Sequence, residues 1–270
     1  GEPMDGQVWC APDFDDPERR PPDLKTAPAY GQPVSLGNPV FVTSDGSRPE
    51  ELARTLLPLG AAFRSAARRS VHGKPATIDD LAREGAPIAW ISLALVDGMS
   101  MSWPGHGDFS EAYDARQRPW YTVAVDATGP VCGAPYVDSS GLGLLLPCSS
   151  PVRDPESAAL LGVASVKLPF DGIIGDLLAW EGARSALLDG QGRVVVSSED
   201  QGWRRGEKVL DNEALPLPAY PVASIVAAAT GHRGEVVEDH GRLIVAHPLQ
   251  TLGWTYVVED VPLVAPEVTP

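Results

Sequence analysis

Prolines and glycines, 27 of each in 270 residues, cut this chain into short segments. Neither residue is well tolerated inside a helix, so the pattern predicts many turns and short strands rather than a bundle of long helices. The prolines Pro12, Pro17, Pro21, Pro22, Pro28 and Pro33 make residues 1–46 an extended lead-in. Ser47-Arg48-Pro49-Glu50 then has the spacing of a capping box, and Leu52, Leu56, Leu59, Phe63 and Ala67 follow at helical intervals. A helix over 48–70, bent at Pro58, is predicted.

Beyond it the apolar runs are strand-length. Ile88 to Val96, the Asp97-Gly98 turn and Met99 to Trp103 read as a hairpin. A short helix over Pro119 to Ala127 and strands at 131–138, 143–152 and 161–168 follow. A helix from Gly172 to Trp180 carries the chain onward, and the pattern then partly repeats. Ala183 to Leu188 and Arg193 to Ser197 form a hairpin, a helix covers 221–229, and strands cover 234–238, 242–249 and 254–260. Strand pair, helix and three strands thus occur twice without sequence identity. The predicted class is α+β, with two units, each an antiparallel sheet flanked by helices. The boundaries are a lead-in over 1–46, a first unit over 47–170 and a second over 171–270.

The formal net charge is −15, with 21 basic against 36 acidic residues, and no Lys/Arg run forms a stripe. That balance argues against nucleic acid and against anionic lipid as partners. No run reaches the roughly 18 apolar residues of a spanning helix, and no signal peptide is recognisable. With Gly in first place, the chain reads as a soluble piece of a longer protein or as a processed secreted one. Cys10, Cys132 and Cys148 form no CxxC motif, and the histidines are scattered, so neither a metal nor a cofactor is expected. A hairpin centred near Ser140 would set Cys132 opposite Cys148, either as a disulfide or as two small buried side chains. No Gly-x-Ser-x-Gly elbow and no phosphate-cradling loop is present, which argues against an enzyme.

Residues 113–138 crowd together the side chains that hold small polar guests. Tyr113, Arg118, Trp120, Tyr121, Tyr136 and Asp138 offer a cation, aromatic walls, hydroxyls and a carboxylate. His106, in the turn-rich 104–108 segment, is a candidate for the pocket rim. Arg116 is expected to bond the 104–112 loop, and Trp90 and Trp103 to pack in the core.

Tyr113-Asp-x-Arg-x-Arg-Pro-Trp-Tyr121, Pro135-Tyr-x-Asp138, a strand with Pro147-Cys-Ser-Ser-Pro151, and Leu161-Gly-Val-Ala-Ser-Val166 together resemble the double Cache sensor family. Those are extracytoplasmic ligand-binding regions of bacterial chemoreceptors, histidine kinases and diguanylate cyclases. The motifs span about residues 88–175, and the order of elements extends the likeness to about 260. The resemblance implies two stacked PAS-like subdomains, with the ligand in the membrane-distal one, and a periplasmic location. It also implies working partners in the parent receptor's transmembrane helices and in a homodimer mate. It further implies that Arg118 and the Trp120 N–H hold a ligand carboxylate while Tyr and Asp138 groups hold an amine. One position departs: Lys167 stands where amino-acid binders of the family carry an Asp. An ammonium there offers three donors and no acceptor, which favours a small organic anion such as a short carboxylate over an amino acid. Alternatively Lys167 points to solvent or neutralises Asp138, and the ligand class stays open. A ligand-free interaction module is the remaining alternative.

Overall fold

The computed structural model describes residues 7–47, 49–71, 75–110, 113–170, 178, 180–199, 217–250 and 252–260. These fall into two compact units, the first ending at Pro169 and the second starting at Phe170.

The first unit recruits residues that the proline pattern marks as a lead-in. A short helix α1 (Ala11–Asp15), a hairpin of β1 (Lys25–Ala27) and β2 (Gln32–Val34), and a strand β3 (Val40–Thr43) all precede residue 46. Trp9, Cys10, Phe14, Tyr30, Val34 and Phe41 are buried, so this stretch is part of the core and not an appendage to it. Proline breaks helices but is compatible with edge strands, as Pro33 inside β2 illustrates, and Val40-Phe41-Val42 has the side chains that strands favour.

Helices α2 (Glu50–Leu56), α3 (Leu59–Ser70) and α4 (Ile78–Glu84) follow. The break at Pro58 comes where expected, but the capping box at Ser47 does not form. Pro49 occupies the cap position without a side-chain bond, and Ser47 instead donates its N–H to Asp45 and accepts from the Thr43 hydroxyl through its carbonyl. The real box opens α4: Asp80 N–H donates to the Thr77 hydroxyl at 3.2 Å, and Thr77 N–H to the Asp80 carboxylate at 2.9 Å.

The sheet comprises β3, β4 (Trp90–Leu95), β5 (Met99–Trp103), β6 (Val131–Cys132), β7 (Tyr136–Val137), β8 (Leu144–Arg153) and β9 (Leu160–Pro169). Its antiparallel order is β3-β5-β4-β9-β8-β6, and β7 also pairs with β8. The short helix α5 (Pro119–Thr122) lies between β5 and β6 in sequence. Strand parity sorts the side chains. Phe41, Met99 and Met101 pack with Ala53 and Leu57 of the α2 segment. On the opposite face Trp90 stands beside Lys167, and Ser149, Ser165, Ser92 and Ser102 stand in register across four adjacent strands.

The second unit is a five-stranded antiparallel sheet of β10 (Arg184–Leu188), β11 (Val194–Ser197), β12 (Glu235–Asp239), β13 (Arg242–Leu249) and β14 (Trp254–Glu259), ordered β11-β10-β14-β13-β12. Helix α6 (Ala223–Thr230) buries Ile225 and Ala229 against Leu188, Ile244, Ala246 and Val257. The helix expected from Gly172 to Trp180 lies almost wholly outside the described residues. No described helix is long and apolar enough to cross a membrane.

Candidate functional site

A short run of local structure aims the motif of residues 113–121 at the sheet. The Asp114 carboxylate accepts from Arg116 N–H at 2.9 Å and so caps a 3-10 turn over Ala115–Gln117. Arg118 closes that turn in extended conformation, and Pro119 starts α5 with its fixed φ. Arg116 is structural, but its partners differ from the 104–112 loop anticipated for it. Its guanidinium forks onto Asp114 at 2.8 Å and donates to Val96 O at 3.0 Å. Trp103 is fully buried and donates its indole N–H to Leu36 O at 3.0 Å, a core role.

Consecutive residues on a helix diverge by about 100°, so Trp120 and Tyr121 serve different neighbourhoods. Trp120 faces the sheet. The Tyr121 phenol, raised by burial, responds to Arg116, Asp114 and Asp97. Tyr121 therefore stands apart from the other candidates.

Those others form one buried cluster. Arg118 is only 5% exposed; its guanidinium carbon lies 5.6 Å from the Tyr136 ring centre, and Nη2 donates to Val137 O at 3.4 Å. Lys167, also 5% exposed, sets Nζ 4.3 Å from the Trp120 ring centre and donates to the Ser92 hydroxyl at 2.5 Å. It does not point to solvent, and it closes no ion pair with Asp138 among the described residues. Ser92 shares a second hydrogen bond with Ser102 at 2.6 Å, and Ser149 donates to Ser165 at 2.9 Å.

Asp138 follows β7 in the turn that leads into β8, where Asp138 N–H meets Gly143 O at 2.8 Å and Gly141 and Gly143 take positive φ. Beneath the turn Cys132 and Cys148 pair directly and form a disulfide, which settles the two readings of that pair. Three donors converge on one oxygen of the Asp138 carboxylate: Trp90 Nε1 at 3.3 Å, Leu142 N–H at 3.3 Å and the Ser140 hydroxyl. Among the described residues Oδ1 receives none. Trp90 is thus more than core packing, since its indole carries a polar contact across 48 positions of sequence.

His106 is buried, not on a rim. Its ring stacks on Phe109 at 4.5 Å and tilts against Trp90 at 4.8 Å, with Nδ1 2.8 Å from Gly107 O. Burial lowers its pKa and keeps the imidazole neutral, although Gly107 and Asp138 oppose the shift. Burial pushes the Tyr113 phenol up to about 12, and the Arg118 charge only partly offsets it. Tyr136 is raised well above the usual phenol, first by burial and then by Asp138. Burial likewise lowers Lys167 to about 7, with Asp138 pulling upward and Arg118 downward.

The cluster thus joins Tyr113, Arg118, Trp120, Tyr136, Asp138, Lys167 and His106. Trp90, Ser92 and Ser140 were not legible as members. The first two lie on apolar strands, where only strand register brings them beside Lys167 and Asp138. Chemically the described residues of the cluster bring a guanidinium, an ammonium and a carboxylate together, lined by aromatic rings and neutral hydroxyls.

No protein-family model matches the chain. Over 144 residues it is 29% identical to the methyl-accepting chemotaxis protein McpA of Pseudomonas putida, a match covering 52% of this chain and 20% of the relative. Over 145 residues it is 27% identical to the methyl-accepting chemotaxis protein PscA of Pseudomonas syringae pv. tomato, covering 52% and 22%. The matched stretch spans only about a fifth of either receptor. Among solved structures, the ligand-binding domain of the Pseudomonas aeruginosa amino acid chemoreceptor PctB in complex with L-Arg superposes with a TM-score of 0.46 at 22% identity, covering 64% of this chain and 71% of that one. The ligand-binding domain of the Pseudomonas fluorescens chemoreceptor CtaA in complex with L-alanine gives 0.47 at 18% identity, covering 74% and 86%.

Proposed function

We propose that this chain is the extracytoplasmic sensor region of a bacterial transmembrane receptor of the double Cache type, and that its first unit binds a small organic anion carrying a carboxylate. The carrying observation is the burial of Lys167, Arg118 and Asp138 together beside the Trp120 and Tyr136 rings. Buried charge is costly unless it is balanced; Lys167 meets a serine hydroxyl and no carboxylate among the described residues, and a guest carboxylate supplies the missing negative charge. Arg118 takes it through parallel hydrogen bonds, Lys167 assists as an ammonium, and the aromatic walls exclude water. Sequence similarity to chemotaxis receptors supports the sensor role, and the disulfide fits an oxidising compartment such as the periplasm. The protein acts by binding alone. Occupancy shifts the first unit between two states, and the second unit passes the change to the membrane helices and a dimer mate, driven only by the difference in affinity for those states.

A second reading, an amino-acid guest, is favoured by one specific feature. Asp138 Oδ1 receives no hydrogen bond among the described residues and is open to an ammonium. A thermal-shift panel of short carboxylates, dicarboxylates and amino acids decides between them. A guest at about 100 times its dissociation constant adds about 2.7 kcal/mol, readable as a shift of several degrees. Arg118→Ala abolishes the response under this reading. A shift that survives Arg118→Ala, or turnover of the guest, refutes it.

A further inference from the structure

Strand β4 touches an anion and a cation of the cluster, each with a neutral group. Trp90 and Ser92 lie two residues apart on it, so their side chains share a face about 7 Å apart along the strand. The Trp90 indole N–H donates to Asp138 Oδ2 at 3.3 Å, and the Ser92 hydroxyl accepts from the Lys167 ammonium at 2.5 Å. In the adjacent strand β9, Lys167 is the residue paired with Trp90. The lysine thus stands opposite the residue that holds the carboxylate, yet its ammonium turns along the strand to a serine. Lys167 and Asp138 close no ion pair among the described residues, although Asp138 is near enough for its charge to pull the ammonium's pKa upward.

Opposite charges in a buried space attract strongly, so this separation has to be held. Three neutral donors hold Asp138 Oδ2: the Trp90 indole, the Ser140 hydroxyl and the Leu142 N–H. A buried carboxylate that accepts several such bonds keeps its charge without a cation in contact. Ser140 and Leu142 sit in the same turn as Asp138, so Trp90 is the donor that ties the carboxylate to the sheet. The orientation of the indole is itself fixed by packing. Trp90 is 3% exposed, and its ring lies against those of Tyr30 at 5.2 Å and His106 at 4.8 Å.

We propose that Trp90 is a positioning residue: with Ser140 and the Leu142 N–H it holds the Asp138 carboxylate off Lys167, so that the ammonium and Asp138 Oδ1 both stay open to a guest. This role rests on the reading of the cluster as the guest's site, and it adds what keeps that site from closing on itself. Without the indole N–H the carboxylate is free to swing onto the ammonium, and a salt bridge fills the place the guest would take. The other titratable groups around the pair are Arg118, which pushes the Lys167 pKa down, and His106, Tyr113 and Tyr136, all of which respond to the Asp138 charge.

An NMR titration of the whole guest-free chain, isotopically labelled at lysine, reads the pairing directly. The Lys167 Cε signal is assigned by its absence from Lys167→Met. Its midpoint, about 7 in the unaltered chain, should rise in Trp90→Phe by about one to three pH units, the range that an opposite charge in contact produces. Trp90→Phe keeps an aromatic ring in the core. Ser140 is half-buried in a turn, so Ser140→Ala removes a second donor with little loss of packing and should move the midpoint the same way. Neither substitution should raise it in an Asp138→Asn background, where no carboxylate remains to close. If neither raises the midpoint, or if either rise persists beside Asp138→Asn, the cradle does not hold Asp138 off Lys167 and the proposal is wrong. No guest is present in this titration, so its failure and the failure of the carboxylate panel are distinguishable.

Discussion

Replacing Lys167 by Met keeps the length of the side chain and removes its titration. In the folded chain burial takes the ammonium from 10.5 to about 7, a penalty of about 5 kcal/mol at 1.36 kcal/mol per pH unit. The sign follows from proton counting. Between about pH 7 and 10.5 the unfolded chain holds a proton on this lysine that the folded chain has released, so stability rises with pH across that window. Below about pH 7 both states are protonated and the full penalty stands. From pH 6 to pH 9 the unaltered protein should therefore gain about 2.7 kcal/mol that Lys167→Met does not. For a unit of this size that is roughly 5 to 10 °C in Tm. The charged groups facing Lys167 are Asp138 and Arg118, with His106 nearby. All three are retained in the variant, so their own titrations largely cancel in the difference. Chemical or thermal denaturation of both proteins at pH 6, 7, 8 and 9, without added ligand, gives the two curves. Parallel curves would show that Lys167 does not titrate in this range and would refute the argument that burial lowers it to about 7.

Other outcomes are as definite. Carboxylate affinity should fall above about pH 7 as Lys167 loses its proton, by as much as tenfold per pH unit, and calorimetry should find the affinity of Lys167→Met flat over the same range. Asp138→Asn should weaken an amino-acid guest about tenfold or more while leaving a plain carboxylate bound as well or better; equal losses for both would mean that Asp138 does not read an amine. Reducing the Cys132–Cys148 bridge, which closes a loop with a sequence separation of 16, should lower stability by about 3 kcal/mol, visible as a lower urea midpoint with reductant than without.

Strand period and turn dipeptides were enough to place most of both sheets, because Ile88 to Val96, Leu161 to Leu168 and Trp254 to Asp260 are apolar runs bounded by turns. The crowding of Tyr113, Arg118, Trp120, Tyr136 and Asp138 was equally legible, since the residues are close in sequence. What stayed hidden depends on separation and on competing signals. Proline density masked the strand at Val40–Thr43, because proline speaks against helix and is silent about sheet edges. Trp90 looked like core, for nothing local says that its indole meets a carboxylate 48 residues away. The orientation of Lys167 turned on whether the strand parity that places Ser165 on the site face continues for two more residues, and it does. Tyr121 was grouped with Trp120 by adjacency, although helical twist sends neighbours in different directions.

The hydroxyl pair beneath Lys167 bears on how the cluster could cope with both forms of the amine. A serine hydroxyl can donate in one direction and accept from another, and which of Ser92 and Ser102 gives its hydrogen is not fixed by their 2.6 Å contact. With a protonated amine, Ser92 accepts from Lys167 and passes its own hydrogen toward Ser102. With a neutral amine, both rotors can turn round, so that Ser102 gives to Ser92 and Ser92 gives to the nitrogen lone pair. Only hydrogens travel; the carbon and oxygen framework stays in place. The floor would then fit either amine equally well, and discrimination between the two would be left to whatever guest lies above it.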